Sequence, residues 1–468
     1  MAISHDTELM DGLKEALNKA VKNQKKVLFS EIIKIDDVCP LSFYQAGREH
    51  YLGERFFWQD PNQEVILSGL GKAEKIQAPA DSSRYEYIKQ EWNELVSESV
   101  RRGVSQVAGT GPLIFGGFSF DHHKSNSELW DQFGDNLFYI PRFMLSKVKG
   151  QAYLTTNFIC SPGDEIQAFI KMVNERDTYI NSKFVPAYSN PLLIEQAEIK
   201  PAEWIESVSG AIDHIKQSDV DKLVLAREMR LKFEAQLQSE MVLDRLMKEQ
   251  EKSFIFSLEV GSEFFVGASP ERLIKKTANV LFSACLAGSI ARGKNEQEDD
   301  ALGEALLHDE KNLKEHQYVV SMIQDAMINT CEVVEVPRSP ILLKNRHIQH
   351  LYTPVEGRAK QDVSIFDILY KLHPTPALGG LPQEKALIWI RENEDLERGF
   401  YAAPLGWIDA GGNGEFAVAI RSGLVQGNEA SLFAGCGIVA DSKPESEYQE
   451  TSIKFKPMLS ALGGKLDD

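Results

Sequence analysis

Apolar positions along the chain fall into short alternating runs interrupted by longer stripes of helical spacing, with no regular rotation between the two. Residues 1–26 (MAISHDTELMDGLKEALNKAVKNQKK) space their apolar positions along one helical face, with acids between them. KVLFSEIIKI then alternates as a strand, and RFFWQDPNQEVILSGLG reads as two strands joined by a turn at Asp60, Pro61 and Asn62. A helix over 83–101, a glycine-rich strand (GPLIFGGFSF) and a pair of strands (NLFYIPRFMLSKV, GQAYLTTNFI) complete a first half. The polar stretch SNPLLIEQAEIKPAEW marks a boundary, placing an N-terminal α+β half at 1–195 and a second part at 196–468.

The second part opens with a helix ending near Gln217, a strand (KLVLAREMRLKF), a helix (SEMVLDRLMKE) and three strands through Ala287. A long helix over 298–329 follows, then strands around His350 and helices flanking His373. The hairpin APLGWIDAGGNGEFAVAIRSGLV turns at Gly-Gly-Asn-Gly, and a strand (ASLFAGCGIV) leads to a closing helix (ESEYQETSIKFKPMLSAL). Runs of strands broken by long helices, without strict alternation, predict an α+β fold.

Composition narrows the function classes. The chain has 468 residues, 43% hydrophobic and 26% charged, with no apolar run near the twenty or so residues of a membrane helix, so no membrane span is expected. A formal net charge of -18 opposes a phosphate backbone, and no nucleic-acid partner is expected. The N-terminus lacks an apolar signal region and a small-residue cleavage site, and Cys39, Cys160, Cys285, Cys331 and Cys436 form no CxxC pair. Both features predict a cytoplasmic protein with reduced thiols and no structural zinc.

Candidate chemistry sits on several elements. Glu447, Glu450 and Lys454 stand at i, i+3 and i+7 on the last helix, projecting from one face. Glu315 precedes His316 beside the apolar stripe of Leu306, Leu313, Val320 and Ile323. Spacing alone describes ordinary solvated faces, although carboxylate oxygens with open positions suit magnesium. GSIARGKN offers Gly288, Gly293 and Lys294 as part of a phosphate loop, but Asn295 replaces the metal-binding hydroxyl and the acidic run EQEDD follows. His347 and His350 are three apart on a strand and do not share a face.

Lys222 opens an apolar strand on the same face as Val224 and Ala226. There it either reaches solvent by its flexible stem or, if enclosed, becomes a neutral amine able to take a proton from water. Glu271 follows a Ser269-Pro270 bend that aims its carboxyl inward or leaves it as a surface partner of Arg272 or a lysine.

Taken in order, DKLVLAR, GASPERL, LAGS, EKNLKEH, IQHL, HPTPALGG, GFYAAPLGW, GEFAVAIRSG, FAGCGIV and ESEYQETSIK resemble the chorismate-binding domain of isochorismate, salicylate, anthranilate and aminodeoxychorismate synthases, over about residues 200–460. The N-terminal half, with RFFWQDP, SGLG and FGGFSFD, is similar to that of menaquinone-type isochorismate synthases. The resemblance implies one large α+β unit of two antiparallel sheets packed face to face with helices outside. It also implies a magnesium-dependent isomerase that binds chorismate, a small dianion, and is expected to act as a monomer.

Residue roles follow from the same resemblance. Glu315 and Glu450 match the magnesium ligands, with Glu447 an outer carboxylate. Arg421 and Tyr401 match the residues gripping the enolpyruvyl carboxylate, assisted by amides near Gly435 and Gly437. Gly288, His350 and Lys454 complete the substrate lining. Lys222 matches the base that activates water and Glu271 the acid that protonates the departing ring hydroxyl, which requires a neutral lysine and a protonated glutamate at neutral pH. Relatives that attach nitrogen lack the lysine matching Lys222, and those with a covalent lysine carry it where this chain has Ala287. The chain departs from a common family pattern at Phe400, where tryptophan is frequent, and at Asn312, where some relatives have an acid. The implied activity is conversion of chorismate to isochorismate for menaquinone synthesis. Salicylate formation, a siderophore pathway and a non-catalytic chorismate-binding subunit are the alternatives.

Overall fold

The computed structural model describes residues 2–464 apart from 81, 125–127, 186–190 and 345–347, with side chains described from residue 8 onward. His347 and the start of the polar boundary stretch lie outside the described residues. Among the described residues, twenty-one strands join by hydrogen bonds into one continuous ribbon, flanked by twelve α-helices. The ribbon has two arms that share the strand Asn136–Val148. One arm runs through Val65–Ile76, Arg55–Gln59, Phe254–Val260, Glu263–Ser269, Ser422–Gln426 and Glu429–Ile438 to Lys222–Phe233. The other runs through Leu113–Phe118, Pro404–Asp409, Gly414–Val418, Arg272–Thr277 and Val280–Ala291 to Ile348–Ala359.

Aromatic side chains fill the space between the arms. Phe56 of one arm stacks on Phe115 of the other with ring centroids 4.3 Å apart, and Phe138 meets Phe416 at a tilt of 59° within the same core. Strand Phe254–Val260 is buried on both faces: Phe254, Phe256 and Leu258 enter the inter-arm core, whereas Ile255 enters a second core beneath the outer helices. This is the expected two-sheet α+β sandwich, with the refinement that its layers form a single bent ribbon.

Strands from the two parts of the sequence alternate within the ribbon, since Arg55–Gln59 pairs with Phe254–Val260 and Leu113–Phe118 with Pro404–Asp409. A buried charge cluster reinforces the first junction. Arg55, fully buried, makes two bonds of 2.8 and 2.7 Å to Glu259, a third of 3.3 Å to Glu240, and a fourth of 2.9 Å to the Tyr44 carbonyl.

Three elements differ from expectation. The helix expected over 298–329 is two helices, Glu296–His308 and Glu310–Thr330, because Asp309 breaks the run and caps the second by accepting the Asn312 amide at 2.7 Å. The polar stretch contains a strand, Leu193–Glu198, which pairs antiparallel with Met229–Phe233 and is largely exposed, so it lacks a clear apolar alternation. A helix at Ile166–Ile180, unmarked in the sequence reading, buries Phe169, Val173 and Tyr179 in a third core. No helix among the described residues is long and apolar enough to cross a membrane.

Candidate active site

Lys222 begins its strand with a side chain only 10% exposed, and its ammonium is ion-paired with the Glu315 carboxylate. Glu315 comes from the first turns of helix Glu310–Thr330, whose cap at Asp309 sets where those turns begin. Beside Lys222 runs the strand Glu429–Ile438, with Gly437 opposite Val224 and Gly435 opposite Ala226. A Cβ on Gly437 would stand 2.5 Å from Lys222 Cε and 3.0 Å from Nζ, so the missing side chain is what lets the lysine lie across the neighbouring strand. Gly437→Ala is therefore expected to fold, because the flexible lysine yields rather than the backbone. Its turnover should fall at least about tenfold, since a displacement of about 1 Å costs on the order of 10²-fold; comparing kcat with thermal stability checks this.

Glu271 is fixed by its backbone: its amide donates to Ser269 Oγ at 3.2 Å and its carbonyl accepts the Val418 amide at 3.0 Å. The carboxyl makes no hydrogen bond among the described residues. Burial pushes its pKa up to about 7, against the opposing fields of Arg421, Lys222 and Lys454. Arg421 holds a left-handed backbone conformation (φ 51°), with its carbonyl accepting the Ala268 amide at 3.0 Å. A strained arginine invites a functional reading. Its guanidinium makes no hydrogen bond or ion pair among the described residues, and burial lowers its pKa although Tyr401, Glu450 and Glu271 oppose the shift.

The remaining lining residues cluster around these. Tyr401 is buried, with its hydroxyl 3.2 Å from where a Cβ on Gly435 would stand, and burial raises its pKa. Lys454 donates to the Gly435 carbonyl at 2.8 Å and to Glu450 at 2.6 Å. His350 shares a 2.6 Å hydrogen bond with Ser289; burial, then Arg421 and Lys454, lower its pKa to about 4, so the ring is neutral at pH 7. Gly288 (φ 81°) lies where the pairing between Val280–Ala291 and Ile348–Ala359 slips register, a bulge that only glycine enters without strain.

Glu315 and Glu450 are each bonded through one oxygen to a lysine, Lys222 and Lys454 respectively. No group of three or more His, Cys, Asp or Glu stands together as a metal cage among the described residues. Two carboxylates with lone pairs to spare still fit magnesium, which usually takes one or two protein carboxylates and completes its shell with water and substrate oxygens. Glu447 lies one turn before Glu450, and its carbonyl accepts the Cys436 thiol at 3.8 Å.

The phosphate-loop alternative fails on geometry. Asp299 takes the Gly293 amide at 2.9 Å and Glu298 takes the Lys294 amide at 2.9 Å, so carboxylates occupy the donors a phosphate would need. Sequence reasoning passed over His316 as a supporting residue. Buried beside Glu315, it bonds the Ala287 carbonyl at 2.8 Å and Thr353 at 2.7 Å, tying the Glu315 helix to the bulge at Gly288. The EKNLKEH motif contained that signal.

The sequence matches the family model for chorismate binding enzymes over residues 15–463. It is 44% identical over 457 residues to the isochorismate synthase MenF of Bacillus subtilis (strain 168), covering 96% of each chain. It is 34% identical over 456 residues to the salicylate biosynthesis isochorismate synthase of Pseudomonas aeruginosa, covering 96% of this chain and 94% of that one. Its fold is similar to that of the menaquinone-specific isochorismate synthase MenF from Escherichia coli, with a TM-score of 0.77 and 24% identity over 96% of this chain and 99% of that one. With the family pattern running almost end to end, and the segments that carry it meeting around Lys222, Glu315, Arg421 and Glu271, the chain belongs to the chorismate-binding enzyme family.

Proposed function

We propose that this enzyme is an isochorismate synthase, with Lys222 as general base and Glu271 as general acid. The observation that carries the mechanism is the company Glu271 keeps: a carboxyl with a pKa near 7 in spite of Arg421, Lys222 and Lys454 is a proton donor held ready at neutral pH. Arg421, whose guanidinium is unengaged among the described residues, and Tyr401 would grip the enolpyruvyl carboxylate, the arginine through two parallel bonds that fix its orientation. The neutral His350 ring, Lys454 and the backbone at Gly288, Gly435 and Gly437 would complete the lining.

Glu315 and Glu450 would hold the magnesium ion, which when bound neutralises and anchors the ring carboxylate. The base role requires the Lys222–Glu315 pair to open and the Lys222 ammonium to release its proton to bulk water, leaving a neutral amine, with Glu315 free to help hold the metal. Lys222 then takes a proton from water as its oxygen bonds to the ring carbon beside the carboxylate-bearing one. The ring double bonds shift, the distant C–O bond breaks, and Glu271 supplies the proton with which the hydroxyl leaves as water. Presence of Lys222 together with Ala287 supports water rather than ammonia or a protein amine as the nucleophile.

The relative named MenF supports placement in menaquinone synthesis. Five free thiols, four of them buried, support a cytoplasmic setting, and we propose a monomer whose two parts, 1–195 and 196–468, act as one unit. Incubation with chorismate and magnesium, followed by chromatography, is expected to yield isochorismate; salicylate or unreacted substrate as the main species would refute the reading. Chelation should stop turnover and added Mg2+ restore it.

A further inference from the structure

One edge of the Lys222 strand has a gap in its pairing. Gly380–Leu381 pairs with Leu223 and Lys222, and Leu193–Glu198 takes over only from Met229. Between them, side chains replace a strand. The Val224 carbonyl accepts Arg398 Nη2 at 2.6 Å, the Ala226 amide donates to Glu394 Oε2 at 2.8 Å, and the Ala226 carbonyl accepts Trp204 Nε1 at 3.1 Å.

Glu394 and Arg398 are locked together by two bonds of 2.7 Å each, with side chains 4% and 3% exposed. Arg398 also donates to the Leu378 carbonyl at 3.0 Å, in HPTPALGG, and sits 4.2 Å from the centroid of the Phe120 ring. Its own carbonyl accepts the Tyr401 amide at 2.8 Å. One buried ion pair thus joins the strand that carries Lys222, the HPTPALGG loop and the turn that presents Tyr401. Neutral side chains could satisfy the Val224 carbonyl and the Ala226 amide without the cost of burying two charges, so completing the sheet edge does not by itself call for an ion pair.

We propose that the Glu394–Arg398 pair is a positioning device for the reaction: it fixes the Lys222 end of its strand relative to Tyr401 without touching substrate. The inference rests on the reading of Lys222 as the base. A planar guanidinium can hold two carbonyls and a carboxylate at once in fixed directions, whereas a lysine at this position could not reproduce the fork.

The test uses the full chain with magnesium and chorismate. The double variant Glu394→Gln/Arg398→Met removes both charges together and leaves no orphan buried ion. Its kcat is expected to fall on the order of 10²-fold with KM changed less than about threefold. In a Lys222→Ala background the same double substitution should cause no further fall, because a device that acts through Lys222 has nothing left to position. Hydrogen exchange should quicken over residues 222–228 and stay unchanged over Phe254–Val260. Should the double variant not fold, Arg398→Lys carries the same three comparisons, with about a tenfold loss in kcat expected from the lost fork. Independent, multiplying losses in the Lys222→Ala background, or unaltered exchange over 222–228, would overturn the proposal. If the unmodified protein makes no isochorismate, the functional reading fails, and exchange alone then decides whether the pair holds this strand.

Discussion

Replacing Glu271 by Gln is expected to lower kcat by about 10²- to 10⁴-fold, the usual worth of a positioned general acid, while making the fold more stable in alkali. The two effects have one cause. Burial raises the folded pKa of Glu271 to about 7, well above the value of about 4.3 for an exposed glutamate. The folded state therefore holds its proton more tightly than the unfolded state does. Between those two values the native protein binds more protons, so its stability declines as pH rises, and above pH 7 the cost of burying the ionised form is felt in full. Gln cannot ionise and escapes that cost. The variant should exceed the unmodified protein in stability by about 1–3 kcal/mol at pH 8, with the difference vanishing near pH 4. Activity follows the same titration: kcat/KM of the unmodified enzyme should drop tenfold per pH unit above about 7, and the residual activity of the variant should lack that limb. Denaturation midpoints at pH 5 and pH 8, with a pH–rate profile, test both. Equal stability of the two proteins at pH 8 would refute the proposed charge state.

The largest loss of stability is expected at Arg55→Met, far from the chemistry. Besides Arg55, Glu259 accepts from Ser239 at 2.6 Å, Tyr44 at 3.1 Å and the Gly53 amide at 3.0 Å, and Glu240 is held by Arg48 at 2.8 Å. Burial opposes the charge on Arg55, but Tyr44, Glu259 and Glu240 outweigh it and raise its pKa. Methionine would fill much of the volume yet leave Glu259 buried without its cation, at a cost of about 3–5 kcal/mol. Adding Glu259→Leu should recover part of the loss, because no unpaired charge then remains, Glu240 keeping Arg48; recovery is incomplete because the Gly53 amide loses its acceptor. Glu240 adds a pH signature: burial raises its pKa, but Arg55, its own backbone amide and Arg48 together outweigh burial, so the net shift is downward. Its contribution is present above its unfolded pKa and lost as pH falls through the lower folded value. The stability gap between Arg55→Met and the unmodified protein should therefore narrow as pH falls through that range. Urea midpoints at pH 7 and below pH 4.5 measure both effects.

The two predictions concern the same principle applied to opposite ends. At Glu259 the carboxylate accepts from Arg55, Ser239, Tyr44 and the Gly53 amide, which ties two strands distant in sequence. At Glu271 the carboxyl makes no hydrogen bond among the described residues, and desolvation prevails over three cations. The site proposed for acid catalysis and the site of structural cohesion thus differ in hydrogen bonding more than in the kinds of residue present.

Much of this was legible along the chain. Period-two alternation and the Asp60-Pro61-Asn62 turn marked the strands Arg55–Gln59 and Val65–Ile76, and the Gly-Gly-Asn-Gly turn marked the hairpin of Pro404–Asp409 and Gly414–Val418. Asp309 followed three residues later by Asn312 was a readable helix start that a continuous apolar stripe concealed. The edge strand Leu193–Glu198 was hidden for another reason: its outer side meets water, so its sequence lacks the apolar signature of a core strand.

The amino-acid order by itself determined the local elements and the kinds of group available, because turn geometry and hydrophobic spacing act over a few residues. It also carried the family pattern that assigns Lys222, Glu271, Glu315, Glu450 and Arg421 to one site. Which charges meet was decided only by tertiary structure: Lys222 against Glu315, Lys454 against Glu450, and Arg398 clasping Glu394 across the gap in the Lys222 strand. Proton affinities belong to the same class. Desolvation and Coulomb fields depend on distance and burial in three dimensions, and a one-dimensional pattern holds neither quantity.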